Sequence, residues 1–153
     1  MDVLTMPLQW FAVKTVYRSS VRGKPAGTDQ DYDGEATLVE ERVVVLRATD
    51  HNDAIRRGER EASQYVSPRY VNPYGQSVVT RYLKAIESFE LFDDPDDLRE
   101  VWSSTRIIPK TIGDRDVVNI FFGPTIKAER RRRKKYMNRE FSRTVKKAGR
   151  RSR

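Results

Sequence analysis

The alternation of apolar and polar residues near the start of the chain predicts a β-strand over residues 8–21. One face of this strand would carry Phe11, Val13, Thr15 and Tyr17, and the other would carry Trp10, Ala12 and Val16. A loop with several glycines and a proline at residues 22–34 separates this strand from a second apolar stretch. There the run Val43-Val44-Val45-Leu46 predicts a second strand over residues 36–48, because β-branched side chains favour strands.

A helix is predicted over residues 53–65, where Asp50 or Asn52 can cap the first turn. The face of this helix toward the sheet would carry Ala54, Gly58, Ala62 and Tyr65. Three of these residues are small, which favours a close approach of the helix to the sheet.

The second half of the chain predicts further strands separated by turns. Asn72-Pro73-Tyr74-Gly75 is typical of a turn, and near period-two spacing predicts a long strand over residues 78–92. A fourth strand is predicted over residues 101–108, and residues 117–122 would form a short fifth strand or a covering segment. The order β-β-α-β-β predicts the α+β class, with an antiparallel sheet of four to five strands and one helix packed on a face.

Charge divides the chain into two parts. Residues 127–153, called the basic segment below, hold 14 Lys or Arg against Glu129 and Glu140, a balance of +12. Because the whole chain carries +8, residues 1–126 carry −4. We therefore predict a single α+β domain at residues 1–126, which is long enough to bury one core. The basic segment has little apolar surface and is predicted to be a C-terminal extension, either an amphipathic helix or disordered.

Within the basic segment, a cationic run at residues 130–135 precedes a pattern with helical spacing. The apolar stripe of this predicted basic helix consists of Met137, Phe141, Val145 and Ala148. Such a helix suits nucleic acid, an anionic membrane surface or an acidic protein, and it could also dock on the acidic domain. Tyr136 or Phe141 could stack on bases. The residues predicted to bind nucleic acid, RNA or DNA, are Lys127, Arg130, Arg131, Arg132, Arg133, Lys134, Lys135, Arg139, Arg143, Lys146, Lys147, Arg150 and Arg151.

Five segments occur in an order that resembles a known family. They are Trp10-Phe11-Ala12-Val13-Lys14, Glu40-Glu41-Arg42-Val43-Val44-Val45-Leu46-Arg47-Ala48, Asn72-Pro73-Tyr74-Gly75, Phe89-Glu90-Leu91-Phe92 and Glu100-Val101-Trp102-Ser103. Over about residues 10–108 the chain resembles a small bacterial family, the domain of unknown function 4288. The resemblance implies a compact α+β domain and no particular activity. The basic segment lies outside it, and the loop at residues 22–34 is longer than is usual for the family.

Residues 29–40 match the calcium-loop pattern D-x-D-x-D-G-x5-E. In that pattern alternate carboxylates converge on a hard cation, and a glycine, here Gly34, permits the sharp turn. However, glycine and proline at residues 23–27 exclude an entering helix, and Glu40 begins a predicted strand. We therefore predict an acidic solvated loop and no metal site, with calcium binding as the open alternative.

The other candidates for chemistry are expected to be structural. His51, the only histidine, lies between a predicted strand and helix without a recognisable nucleophile motif, so a capping or surface role is expected. Residues 40–42 are expected to form cross-strand ion pairs with Lys14 or Arg81. Residues 93–97 are expected to form an exposed acidic turn. No catalytic residue and no cofactor are predicted.

Composition excludes several classes of protein. The chain has no Cys, which excludes disulfides, thiol nucleophiles and cysteine-zinc sites. Residues 1–7 lack a basic start followed by an apolar stretch, so no signal peptide is expected. No apolar run approaches the ~20 residues needed to span a bilayer. These features predict a cytoplasmic protein.

The leading hypothesis is a non-enzymatic binding protein that associates with nucleic acid through the basic segment. The alternative is a protein-interaction module, such as the immunity or antitoxin-like partner of another bacterial protein, in which the acidic domain does the binding. An acidic protein or a larger complex is the other partner considered beside nucleic acid. A third hypothesis is an uncharacterised enzyme with a carboxylate or calcium site.

Overall fold

Over residues 6–122, except residue 67, the regular elements are four strands and two helices. They are β1 Gln9–Arg22, β2 Leu38–Ala48, α1 His51–Tyr65, β3 Tyr70–Val71, β4 Ser77–Glu90 and α2 Asp114–Phe122. This computed structural model describes residues 6–66, 68–122, 130–134 and 139–142, and residues 130–134 are also helical. The strands form one sheet in the order β2-β1-β4-β3. The predicted α+β class with an antiparallel sheet is confirmed.

The chain divides into two compact units. Unit 1 comprises Met1–Ser19, Leu38–Pro68 and Thr80–Ile107. Unit 2 comprises Ser20–Thr37, Arg69–Val79 and Ile108–Arg153. Strands β1 and β4 each run from one unit into the other. In the described residues, no helix is long and apolar enough to cross a membrane.

The sheet of unit 1 is built on the two strands that the sequence predicts best. Strand β1 pairs antiparallel with β2 in a continuous register from Gln9↔Ala48 to Ser19↔Leu38. On the other side of β1, the Ser19 hydroxyl lies 2.6 Å from that of Thr80, and the Leu91 amide donates to the Trp10 carbonyl at 2.9 Å. Because these contacts join opposite ends of the two strands, β1 and β4 also run antiparallel.

The core of unit 1 lies between the sheet and α1. Its buried cluster consists of Phe11, Val13, Ala48, Ala54 and Ala85. The face of β1 that carries Phe11, Val13, Thr15 and Tyr17 is buried, and Ala12 on the other face is buried too. Of the four residues predicted to face the sheet from α1, Ala54, Gly58 and Ala62 are buried, whereas Tyr65 is 38% exposed. A Cβ atom on Gly58 would lie only 2.6 Å from Val13 Cγ1, so the helix approaches the sheet as closely as a glycine permits.

The start of α1 is fixed by its cap. Asp50, not Asn52, is the N-cap residue, and its carboxylate accepts a hydrogen bond from the Asp53 amide at 2.7 Å. The Asp53 carboxylate in turn accepts from the Thr49 amide at 3.0 Å. The helix therefore begins two residues before the predicted start.

Two predicted strands are wrong. Residues 101–108 form no regular structure, because their side chains do not alternate between buried and exposed positions. In that segment Trp102 packs against Phe89, with ring centroids 6.2 Å apart, whereas Ile107 is fully exposed. Residues 117–122 belong to helix α2, whose first turn carries Asp114 and the acidic residue two positions on. Carboxylates in the first turn stabilise a helix, because its N-terminal end carries a partial positive charge. This stabilisation outweighs the strand preference of the β-branched residues that follow.

The predicted Asn-Pro-Tyr-Gly turn is confirmed as the connection between β3 and β4. The two residues of β3, Tyr70 and Val71, pair with Val78 and Ser77. The turn closes through hydrogen bonds from the Asn72 amide to the Gln76 carbonyl at 2.9 Å and from the Gly75 amide to the Asn72 carbonyl at 3.0 Å. A φ of 78° at Gly75 explains why glycine occupies that position. Residues 70–78 are called the hairpin below.

Candidate functional site

The predicted nucleic-acid-binding residues fall into three groups. Residues 130–134 form an exposed helical run of four Arg and one Lys. Arg139 is also exposed and lies in a turn. The remaining predicted residues lie outside the described residues: Lys127, Lys135, Arg143, Lys146, Lys147, Arg150 and Arg151.

Arg132 in the cationic run forms an ion pair with another residue of unit 2. Arg132 Nη2 lies 3.9 Å from Asp33 Oδ2, with more than half of the arginine side chain exposed. Within the part of the chain that the structure describes, Arg130, Arg131, Arg133 and Lys134 make no ion pair. Four cations are therefore presented to solvent within about one and a half turns of helix.

An arginine side chain lies against the carboxylates of the sequence that matches the calcium-loop pattern. Residues 29–33 form the acidic loop, and Arg139 lies between two of its carboxylates, 3.8 Å from Asp29 Oδ2 and 3.9 Å from Asp31 Oδ2. In the described ranges, no group of three or more His, Cys, Asp or Glu residues is arranged to hold a metal ion. Calcium binding by residues 29–40 has not been tested, and its absence stays a prediction.

The two residues that follow Arg139 are buried. Glu140 is 1% exposed and Phe141 is 5% exposed, although both belong to the basic segment. The Asp33 amide donates to Glu140 Oε1, the Asn72 side chain donates to the Glu140 carbonyl at 2.8 Å, and the Tyr70 hydroxyl donates to the Phe141 carbonyl. Residues 139–142, called the docked segment below, are therefore bound by the acidic loop and the hairpin.

Asn72 organises the hairpin that receives this segment. Its side-chain oxygen accepts from the amides of Tyr74 and Gln76, both at 3.0 Å, and its side-chain nitrogen also donates to Gln76 Oε1 at 3.2 Å. The Gln76 side chain donates in turn to the Gly23 carbonyl at 2.9 Å. The sequence predicts the turn but not this role of Asn72, for which an asparagine followed by a proline is the only signal that the sequence carries.

The electrostatics of the acidic loop are set by its neighbours. The hydrogen bond from the Tyr74 hydroxyl, 2.6 Å long, lowers the pKa of Asp29, and the Arg139 guanidinium adds to this effect. Burial and the same hydrogen bond raise the pKa of Tyr74. Burial also raises the pKa of Glu140, and the nearby carboxylates of Asp33 and Asp29 act in the same direction. Glu140 is therefore protonated more easily than an exposed glutamate.

The residues of unit 1 that were considered as candidates for chemistry contact other side chains of the same unit. His51 packs edge-on against Phe11 at 5.0 Å, and its Nδ1 lies 2.6 Å from the Ser88 hydroxyl. The expected cross-strand pair of Lys14 with Glu41 is present at 3.8 Å.

Arg42 departs from the expected pairing across the sheet. It makes two hydrogen bonds of 3.1 Å to the carboxylate of Glu61 on α1. Its guanidinium also lies 3.4 Å from the ring centroid of Tyr65. Arg42 therefore fastens the helix to β2, because a bidentate pair and a stacked ring fix its orientation.

The comparison with family models gives one match. The family described as Domain of unknown function (DUF4288) matches residues 10–103, which is more than half of the chain, and the chain therefore belongs to this family. The predicted resemblance is confirmed. Searches of curated proteins and of solved structures gave no match. The match includes the acidic loop and the hairpin, whereas the docked segment lies beyond its end.

Proposed function

We propose that this DUF4288 protein is a cytoplasmic, non-enzymatic binding protein that associates with nucleic acid through its basic segment. The observation that carries the proposal is the exposed helical run at residues 130–134, in which every side chain is cationic. We further propose that this run belongs to a longer basic helical extension of the domain.

Phosphates are the ligands that this run suits best. Closely spaced arginines repel one another unless anions neutralise them, and their planar guanidinium groups bind phosphate oxygens with two parallel hydrogen bonds. Release of the counterions condensed on a nucleic acid then drives binding without regard to sequence. Arg132 can join this contact, because an exposed ion pair such as that with Asp33 contributes only about 0–1 kcal/mol.

Titration with labelled single-stranded RNA, single-stranded DNA and duplex DNA at several salt concentrations tests the proposal. Replacing Arg130, Arg131 and Arg133 with Gln should reduce the slope of log affinity against log salt by roughly 2–3, at about 0.7–0.9 per phosphate contact. The loss of affinity should be similar for every sequence tested, because phosphate contacts carry no sequence information.

A triple variant with the same change in charge is the control. Arg60, Arg81 and Lys84 are exposed cations of unit 1, and their replacement with Gln should leave the salt slope almost unchanged. Equal effects of the two triple variants would show that only net charge matters. If the wild-type protein binds none of the three nucleic acids at low salt, the proposal is wrong.

A second candidate function is supported by strand β2. This strand is an edge of the sheet, and its exposed face carries Val39, Val43 and Val45. An exposed apolar edge strand is suited to pairing with a strand of another protein, as the alternative of an immunity or antitoxin-like module requires. Val43→Lys should abolish co-purification of such a partner without changing nucleic-acid affinity. Co-purification that persists in this variant would count against the edge strand.

A further inference from the structure

The docked segment is held in the manner of a bound peptide. Two side chains of the hairpin, Asn72 and Tyr70, donate hydrogen bonds to consecutive main-chain carbonyls of the segment, at Glu140 and Phe141. Donors that hydrogen-bond to main-chain carbonyls can hold any peptide of suitable shape, whether or not the peptide belongs to the same chain.

The side chains of the segment supply specificity. Arg139 is placed between two carboxylates of the acidic loop, the Glu140 carboxyl accepts from the Asp33 amide, and Phe141 is buried. Each of three consecutive residues therefore meets a different environment: Arg139 meets carboxylates, Glu140 meets an amide donor, and Phe141 is shielded from solvent.

We infer that the acidic loop and the hairpin form a peptide-binding site for an arginine–acid–aromatic sequence, with residues 139–142 as its exchangeable occupant. The inference does not depend on nucleic-acid binding. The ligand is a short peptide whose arginine pairs with Asp29 and Asp31 and whose main chain is bound by Asn72 and Tyr70.

Three features make the occupant exchangeable. Its arginine contacts are weak, because about half of the Arg139 side chain is exposed and its ion pairs are 3.8 and 3.9 Å long. A carboxyl is buried beside Asp29 and Asp33, and an ionised group of the same charge in that position opposes binding. Finally, the site lies within the family match at residues 10–103, whereas the occupant lies outside it.

Binding of a free peptide to a full-length variant with a weakened occupant tests this inference. We would measure the fluorescence anisotropy of a labelled peptide with the sequence of residues 136–145. Arg139→Ala/Phe141→Ala protein should bind this peptide at least tenfold more tightly than wild-type protein, in which the site is occupied. Adding Asp31→Asn to the double variant should weaken binding of the peptide, but not of a peptide whose arginine equivalent to Arg139 is replaced by Gln.

Each other result overturns the inference. Equal binding of a scrambled peptide of the same composition would show that only charge is recognised. Equal binding by wild-type and double-variant protein would show that the docked segment does not occupy the site. Absence of binding to a folded double variant, or loss of the folded circular dichroism spectrum in that variant, would show that residues 139–142 are an integral part of unit 2.

Discussion

Unit 1 and unit 2 are stabilised by different interactions. The main buried cluster of unit 1 is apolar and is formed by Phe11, Val13, Ala48, Ala54 and Ala85, and the polar residues buried in this unit, Thr15 and Ser19, are small. The most buried side chains of unit 2 include three polar ones, Asn72, Gln76 and Glu140. The stabilisation gained by burying apolar side chains depends on how well they pack and on the area that they bury. A buried polar group, by contrast, stabilises a fold only while its hydrogen-bond partners are present. Unit 1 should therefore be sensitive to lost volume, and unit 2 to lost hydrogen bonds and to protonation.

The largest effect is expected for Phe11→Ala in unit 1. Phe11 is 2% exposed and belongs to the apolar cluster, so its truncation should lower the free energy of unfolding by about 3–5 kcal/mol. Urea unfolding followed by tryptophan fluorescence measures this loss, because both tryptophans lie in unit 1.

Phe92→Ala is the matched control for Phe11→Ala. Phe92 is 91% exposed, so the same truncation there should change stability by less than about 0.5 kcal/mol. Equal losses in the two variants would contradict the position of the core between β1 and α1.

A smaller effect, confined to unit 2, is expected for Asn72→Ala. The substitution leaves the amides of Tyr74 and Gln76 and the carbonyl of Glu140 without their side-chain partner. Because the hairpin can open to water at these groups, the total loss should be about 1–3 kcal/mol, the cost of a single buried polar group left without a partner. Hydrogen exchange resolved by mass spectrometry should therefore accelerate in residues 69–79 and much less in residues 38–66.

The exposed Asn52 on α1 provides the control for Asn72. Asn52→Ala should leave exchange in both regions nearly unchanged. Uniform acceleration over both regions in Asn72→Ala would show that the two units do not differ in the way described.

Strands β1, β2 and β4 and helix α1 could be predicted because each carries its own periodic pattern, whereas the strand predicted at residues 101–108 does not form. The alternating residues of β1 and the small residues of α1 all face one apolar core, and no distant partner is needed to recognise them. The prediction failed at residues 117–122, where β-branched composition was given more weight than the acidic residues at 114 and 116. The acidic pattern is typical of a helix start and was present in the sequence.

The site in unit 2 could be predicted only in part. The sequence shows both of its charged segments, the acidic loop and the basic segment. Docking of the basic segment on the acidic domain is one of the alternatives that the sequence leaves open. The pairing of the two could not be derived, because the Asn72 side chain and the Glu140 carbonyl lie 68 residues apart in the chain. Phe141 was assigned to the stripe of a helix, whereas the structure places it in a turn with its side chain buried.

The smallest effect is expected from the protonation of Glu140. Burial, with help from the carboxylates of Asp33 and Asp29, raises the pKa of Glu140 above its usual value of 4.5. The folded protein then binds this proton more tightly than the unfolded chain does, so stability falls as the pH rises from that value through the folded-state pKa. The pKa of Asp29 is lowered, so its effect on stability falls in a different pH range. The stabilisation that Asp29 contributes is lost only as the pH falls below 3.8.

Glu140→Gln tests this dependence on pH. Glutamine keeps the oxygen that accepts from the Asp33 amide but carries no charge, so the variant should be more stable than the wild-type protein near neutral pH and similar to it near pH 4.5. The quantity to measure is the difference in unfolding free energy between the two proteins, by urea titration at a series of pH values. Glu35→Gln, an exposed change in the same unit, should keep the wild-type dependence on pH. A Glu140→Gln protein whose stability follows the wild-type curve throughout would show that the Glu140 carboxyl is not buried in solution, and the contrast between the two units would then rest on Asn72 alone.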